Sequence, residues 1–312
     1  MSRATFSDLI GGMFDVWSKG FLYFFAVYFV LTLVTGGIGA LIAYAFGLAI
    51  LPGGFPGTVP GTIDAAKLGI FALYAALAFL INIILASLVL GGMTEFAVRR
   101  HRNEPITIEQ ALRRGLQRLL SILGAQILLG LLILGLVLVP VVALVSIALV
   151  PTGSPGGVLA LLCGATLGLV IVAVIAVIVY VGTALFAPLI MMENAGAVDS
   201  LTRSWRVTKG HRWSLFGSII VTAILNAIVV GVIGFPAGFF GIPVVSLFVS
   251  ALAAGVSGSW FPILFAVAYD LIVRQPGTIA PPYYPGSTMA PPAGAAQGPP
   301  QPPASPGPPP SP

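Results

Sequence analysis

Charged residues are scarce in this sequence. Only 7% of its 312 residues are Asp, Glu, Lys or Arg, whereas 58% are hydrophobic. Soluble domains carry about 25% charged residues, so this composition excludes a water-exposed globule. The formal net charge of +5 is spread over short connections between apolar runs. That distribution is typical of a membrane protein, and we expect no nucleic-acid partner.

Cysteine and histidine are rarer still. Cys163 is the single cysteine and lies inside an apolar run, which excludes a disulfide framework and a metal site made of several thiolates. The two histidines, His101 and His211, lie far apart in separate basic clusters. No HExxH motif, P-loop or GxGxxG turn is present. The sequence therefore predicts no catalytic residues, no metal and no cofactor, in a protein that is not an enzyme.

Long apolar runs are abundant. The six runs cover about residues 21–51, 68–93, 119–150, 157–192, 214–235 and 244–273. Each contains the ~20 residues that a helix needs to cross the hydrocarbon core of a bilayer. The sequence therefore predicts an all-α polytopic membrane protein with six transmembrane helices. Residues 236–250 also fit a re-entrant or interfacial segment.

Basic residues favour one side of these runs. Thirteen of the fourteen Lys and Arg residues share that side, and Lys67 is the exception. Loops rich in Lys and Arg are retained in the cytoplasm. We therefore predict a multi-pass protein of the cell (plasma) membrane with both termini in the cytoplasm.

Three amphipathic segments each precede a pair of apolar runs. Their apolar residues recur with helical spacing. The three faces comprise Phe6, Leu9, Ile10, Met13, Phe14 and Trp17; Ile108, Ala111, Leu112, Gly115, Leu116 and Leu119; and Val198, Leu201, Trp205 and Thr208. Basic residues opposite an apolar face suit a helix in the headgroup layer. We predict a membrane domain over residues 1–275, built as three repeats (about 5–98, 107–194 and 197–273) of an amphipathic interfacial helix and a transmembrane hairpin.

Each even-numbered run ends in an acidic residue at a matching place, namely Glu95, Glu193 and Asp270. A carboxylate at this depth is partly desolvated, which favours pairing with a cation. The predicted partners at the cytoplasmic ends are Arg99, Arg203, Arg206 and Arg274. A functional ion or ligand site is the alternative interpretation of the three acids.

Two further groups of polar residues are candidates for function. The basic residues expected to face lipid headgroups are Arg113, Arg114, Arg118, Lys209 and Arg212. The polar residues inside the runs are Asn82, Gln126 and Asn226. Amides in this position usually form hydrogen bonds between helices, and a substrate path is the alternative.

The segment 276–312 has a different composition. Fifteen of its 37 residues are proline and none is charged. Such a segment buries too little apolar surface to fold, so we predict a disordered Pro-rich cytoplasmic tail. Alternatively, residues 281–286 are a ligand for a protein partner whose groove binds polyproline II helices.

The segment Ser-Leu-Thr-Arg-Ser-Trp-Arg-Val-Thr-Lys-Gly-His-Arg-Trp-Ser-Leu-Phe-Gly, residues 200–217, carries a family resemblance. It is similar to a phrase in the membrane domain fused to some bacterial glycerophosphodiester phosphodiesterases and in its stand-alone relatives. The opening Phe6-Ser-Asp-Leu and the Tyr269-Asp pair also resemble that family. The resemblance implies a repeat-built, six-span membrane domain. It does not imply phosphodiesterase activity, which belongs to a separate soluble barrel.

These features favour a non-enzymatic membrane scaffold or accessory protein. Its basic cytoplasmic face is expected to contact anionic lipid headgroups or a protein partner. A transporter or channel for a small or lipid-like solute is the first alternative, and a lipid-metabolic membrane enzyme is the second.

The predicted topology is testable with single cysteines placed at Thr58, Asn103, Ser154 and Ser204 after Cys163 is replaced. On intact cells, an impermeant thiol reagent should label Thr58→Cys and Ser154→Cys only, because the basic connections are retained inside. Labelling of Asn103→Cys would contradict the topology.

Overall fold

The computed structural model describes residues 5–45, 65–148, 155–240 and 243–273. Arg274 and the predicted tail over 276–312 lie outside these ranges. The described residues form helices joined by short connections. The helices are α1 (Phe6–Ala45), α2 (Ala65–His101), α3 (Ile108–Gln117), α4 (Leu119–Ala148), α5 (Pro155–Thr183), α6 (Phe186–Glu193), α7 (Ala197–Val207), α8 (Arg212–Phe240), α9 (Pro243–Ser257) and α10 (Trp260–Val273).

The prediction of an all-helical protein with six candidate spans is confirmed. Six helical stretches within the described ranges are long and apolar enough to cross a membrane. They are Phe6–Ile42, Ala72–His101, Leu119–Leu138, Thr166–Glu193, Arg212–Phe235 and Val244–Val273. The fourth stretch contains α5 and α6, and the sixth contains α9 and α10. Of residues 236–250, which also fitted a re-entrant or interfacial segment, residues 236–240 end α8 and residues 243–250 begin α9, which packs on α1 and α8. Residues 241–242 lie outside the described ranges.

The first predicted interfacial helix does not exist as a separate element. Its residues form the start of α1, a continuous helix of 40 residues that is about 60 Å long at 1.5 Å per residue. Leu9 and Met13 of the predicted apolar face are fully buried. Trp17 of the same face packs on this core and donates a hydrogen bond to the Val256 carbonyl of α9, 3.1 Å away. This face therefore contacts protein, because α9 and α10 cover it.

The packed core lies towards the end of the bundle that carries α3, α7 and the 102–107 and 208–211 connections. We call this end the basic end. Its centre is α10, in which every residue from Pro262 to Tyr269 is buried. Towards the other end, large apolar side chains of four spans are exposed, among them Leu73, Leu131, Leu167 and Val232 at 59–70%. An apolar outer surface of this kind is suited to contact with lipid.

Helix α3 begins with a capping box. Thr107 and Gln110 each accept a hydrogen bond from the other's backbone N–H, at 3.3 and 3.2 Å. The helix then lies against α2, where Gly115 crosses the chain at Gly92. A Cβ atom on Gly115 would stand 2.9 Å from both the Gly92 nitrogen and the Leu88 carbonyl oxygen. Only glycine allows the two backbones to approach this closely.

Two spans are interrupted four residues before a proline. Proline removes a backbone donor and clashes with the carbonyl four residues earlier, which ends an α-helix. Pro188 and Pro262 are each the third residue of a new helix, α6 and α10. The preceding helices end at Thr183 and Ser257. Both breaks lie near the basic end, and the sequence analysis missed them.

Gly115→Ala should destabilise the bundle, because its methyl group would meet backbone atoms that cannot move aside independently. We expect a loss of about 1–3 kcal/mol, measured as a lower thermal midpoint of the purified protein in detergent. The matched control is Gly130→Ala on α4, where an added Cβ meets nothing within 4 Å. An equal decrease in both variants would contradict the tight crossing.

Candidate functional site

The basic end is organised around three carboxylates, of which Glu95 is the most buried. Its side chain is inaccessible to solvent. Its Oε1 lies 2.9 Å from Arg99 Nε, one turn along α2, and 2.7 Å from Arg114 Nη1 on α3. The ion pairs therefore join α3 to the end of α2. No described residue hydrogen-bonds to the buried Oε2 atom.

Glu193 at the end of α6 forms the second group. Its Oε2 lies 2.7 Å from Arg203 Nη1, which belongs to α7. Its Oε1 accepts a hydrogen bond from the Tyr269 hydroxyl of α10 at 3.1 Å. The carboxylate side chain is 9% exposed. Glu193 therefore connects three helices, and the sequence analysis had not assigned Tyr269 to this site.

Asp270 on α10 forms the third group, with partners that the sequence analysis did not predict. Its Oδ2 lies 2.9 Å from His101 Nδ1, and its Oδ1 accepts a hydrogen bond from Arg102 Nε at 2.8 Å. His101 is the last residue of α2 and Arg102 follows it, so both partners stand almost 170 positions earlier (169 for His101). In the sequence, the only indication was that residues 99–102 are mostly basic, and this composition does not identify Asp270 as their partner.

The predicted network is thus brought together in three separate groups. Glu95 lies beside Arg99, and Glu193 lies beside Arg203, as the sequence analysis proposed. Arg206 is exposed and forms no ion pair within the described part of the chain. Arg274 lies outside that part. The acids of the fourth and sixth spans also stand at different distances from the prolines that interrupt those spans. Glu193 follows its helix-breaking proline by five positions and Asp270 by eight, a difference of about 4.5 Å along a helix.

The basic residues predicted to face headgroups divide into two sets. Arg113 and Lys209 are exposed, and neither forms an ion pair with a described residue. The Arg114 guanidinium is not reserved for lipid headgroups, because it pairs with Glu95. Arg118 is half-buried at the C-cap of α3. Arg212 lies over the Trp205 ring, with its guanidinium carbon 4.1 Å from the ring centroid.

The apolar face predicted for α7 is confirmed only at Leu201, which packs on the core, and at Thr208, which is buried. Val198 is 60% exposed and Trp205 is 38% exposed, whereas Ser200, Ser204 and Thr208 are fully buried. The break after α5 explains this orientation. Ser204 donates to the Gly182 carbonyl at 2.9 Å and accepts from the Leu185 N–H at 3.1 Å. Its hydroxyl thus satisfies backbone groups that a continuous helix would have paired internally.

Thr208 completes this contact. Its hydroxyl donates to the same Gly182 carbonyl at 3.2 Å. Position 182 accommodates only glycine, because a Cβ atom there would overlap the Trp205 ring. Burial of Ser204 also affects the topology test, since a cysteine there is shielded from an aqueous reagent. Thr202, exposed on the same helix, is the suitable position.

Two of the three polar residues inside the spans form hydrogen bonds between helices. Gln126 on α4 accepts from the Ser87 hydroxyl of α2 at 2.5 Å. Asn226 on α8 accepts from the Ser257 hydroxyl of α9 at 2.5 Å. Asn82 is exposed, and its side chain has no hydrogen-bond partner within the described ranges.

Within the described ranges, no three His, Cys, Asp or Glu side chains are grouped as a metal site.

Residues 32–274 match the model of a family described as a domain of unknown function, DUF7847. The chain belongs to this family. Neither curated proteins nor solved structures match the chain.

The DUF7847 region contains all three carboxylate groups. It begins inside α1 and ends one residue after α10, so Glu95, Glu193 and Asp270 lie within it together with the cations that pair with them. The matched residues also include both helix breaks. The buried charge pairs and the Ser204 contact are therefore features of the DUF7847 region itself.

The partner of Glu193 is testable by charge reversal. Glu193→Arg should lower the thermal midpoint, because it places two cations together at a site shielded from water. Adding Arg203→Glu should restore part of the loss, since Arg203 is the observed partner. Adding Arg206→Glu is the matched control, and it should restore little. Equal rescue by both second changes would show a general charge effect.

Proposed function

We propose that this protein is a non-enzymatic membrane scaffold or accessory protein that holds anionic lipid headgroups against its basic end. The observation that carries this proposal is that the acidic residues at this end are paired internally, whereas several of the basic residues are not. The three carboxylates Glu95, Glu193 and Asp270 are held in internal pairs. Cations such as Arg113, Arg206 and Lys209 remain exposed and without an ion pair among the described residues. This surplus positive charge is available to an anionic partner.

Apolar residues beside these cations support contact with a membrane surface. Leu116 and Leu120 near the end of α3 are 59% and 82% exposed, and Trp213 at the start of α8 is 85% exposed. Tryptophan is enriched where hydrocarbon meets the headgroup layer. Cations and exposed apolar side chains at one level are typical of an interfacial surface.

The proposed orientation has the basic end, and hence both termini, in the cytoplasm of a cell with this protein in its plasma membrane. The bias of basic residues towards one side of the spans supports it. The cytoplasmic leaflet carries the anionic lipids, so this orientation also brings the exposed cations to their partner. A protein partner at the same face, or one that binds the Pro-rich tail, remains compatible with a scaffold.

The proposed repeats have support at two of the three units. A short helix follows the second span and another follows the fourth, namely α3 and α7. Each is joined by an arginine to the acid at the end of the preceding span, Arg114 to Glu95 and Arg203 to Glu193. The proposed first unit differs, because its amphipathic segment is continuous with the span in α1.

Anionic lipid should stabilise the protein more than neutral lipid does. Phosphatidylglycerol added to the full chain in neutral detergent should raise the thermal midpoint, and salt should reduce this increase. The triple variant Arg113→Gln, Arg206→Gln, Lys209→Gln should lose most of it, since each cation near a negative surface contributes about 1 kcal/mol.

Lys67→Gln is the control, because that cation belongs to the opposite side of the predicted topology. It should leave the increase unchanged. Equal stabilisation by phosphatidylglycerol and phosphatidylcholine at every salt concentration would contradict the proposed role.

A further inference from the structure

An apolar groove lies between α5 and the first turns of α8. Its volume is about 530 Å³, which falls in the range of ligand pockets, roughly 300–1,000 Å³. One face of α5 from Ala173 to Val181 lines one wall. Arg212, Trp213 and Phe216 line the other. Arg212 is the only charged residue in this lining, so the groove combines one cation with an otherwise apolar surface.

The position of Arg212 is held by contacts outside the groove. Its guanidinium lies over the Trp205 ring, and its Nη2 donates to the Trp205 carbonyl at 3.3 Å. Trp205 is itself seated against Gly182 at the end of α5, where no side chain larger than hydrogen fits. The cation is therefore ordered in advance of any ligand, which reduces the entropy lost on binding.

Arg212 retains unused donor capacity. Its Nε is shielded from water and has no hydrogen-bond partner among the described residues, so a ligand oxygen must approach the terminal nitrogens where Arg212 lines the groove. Arginine presents its donors in a planar fork that matches the oxygens of a phosphate group.

The apolar wall extends from this cation towards the middle of the bilayer. The α5 residues from Ala173 to Val181 span eight steps, or about 12 Å of helix. Val181 lies at the Arg212 end, since the adjacent Gly182 contacts Trp205 beneath the guanidinium. An exposed Trp213 side chain flanks the same end. A charged end followed by an apolar strip matches the form of a phospholipid.

We propose that this groove binds one anionic phospholipid per chain, with its phosphate at Arg212 and an acyl chain along α5. The groove favours an anionic headgroup over a zwitterionic one, because no acid lines it to pair with a headgroup ammonium. Lys209, exposed in the adjoining connection, adds a second positive charge nearby. This site gives the proposed lipid contact a defined place and stoichiometry, and in that respect it rests on the proposed function.

Native mass spectrometry of the full chain in neutral detergent, titrated with phosphatidylglycerol, tests the site. The wild type should retain one lipid preferentially. Arg212→Gln should weaken that first binding by about ten-fold or more, the usual effect of losing a hydrogen bond to a charged group. Val177→Trp should weaken it comparably by filling the groove without a change of charge.

Ile175→Trp is the matched control, because Ile175 is exposed on the same turn of α5 but does not line the groove. It should bind lipid as the wild type does. Thermal midpoints of all three variants establish that they are folded. If Arg212→Gln and Val177→Trp are both folded and still retain one lipid normally, the site is wrong. Equal retention of phosphatidylcholine would indicate ordinary boundary lipid and would also overturn the proposal.

The two lipid proposals fail independently. Loss of the single retained lipid in Val177→Trp, with salt-sensitive stabilisation preserved, supports both the groove and the broader basic surface. If the groove variants bind lipid as the wild type does and the salt-sensitive stabilisation is also preserved, the groove is contradicted and the broader basic surface is not. Retention of one lipid that depends on Arg212, without any effect of the Arg113, Arg206 and Lys209 substitutions, contradicts the broader surface alone.

Discussion

The cost of an unpaired charge at the membrane boundary shapes the basic end of this protein. Removing a carboxylate from water costs several kcal/mol unless cations and hydrogen bonds replace the lost hydration. Glu95 is fully buried, and two arginines meet the same oxygen. Because one of those arginines belongs to α3, pairing the charge also attaches that helix to α2. The electrostatic requirement thus produces a tertiary contact.

The same relation recurs at the other two acids with different geometry. Glu193 attaches α7 through Arg203 and also contacts Tyr269 of α10. Asp270 attaches α10 to the end of α2 through His101 and Arg102. Tyr269 and Asp270 are neighbours in sequence, so the second and third groups meet on α10. The central helix is therefore held at its charged end from two directions.

Backbone groups impose a second requirement, which explains the orientation of α7. Pro188 interrupts the fourth span, and the break leaves polar backbone atoms in an apolar environment where water is scarce. Ser204 and Thr208 bond to Gly182, and Ser204 also bonds to Leu185. Trp205 is then turned outwards over Gly182, where it supports Arg212. The proposed lipid groove thus depends on the helix break at the end of α5, the helix that lines one of its walls.

The sequence by itself determined the helical class, the number of candidate spans and the short helices α3 and α7, because length, hydropathy and helical period are local properties. It also determined the pairing of Glu95 with Arg99, which lie one helical turn apart. Only the tertiary structure decided the partners of Asp270, since nothing local relates it to His101 across 169 positions. The tertiary structure also decided which face of α7 is buried. Ser204 is buried while Val198 and Trp205 are exposed, because the broken helix opposite requires hydrogen bonds, and hydropathy does not include that requirement.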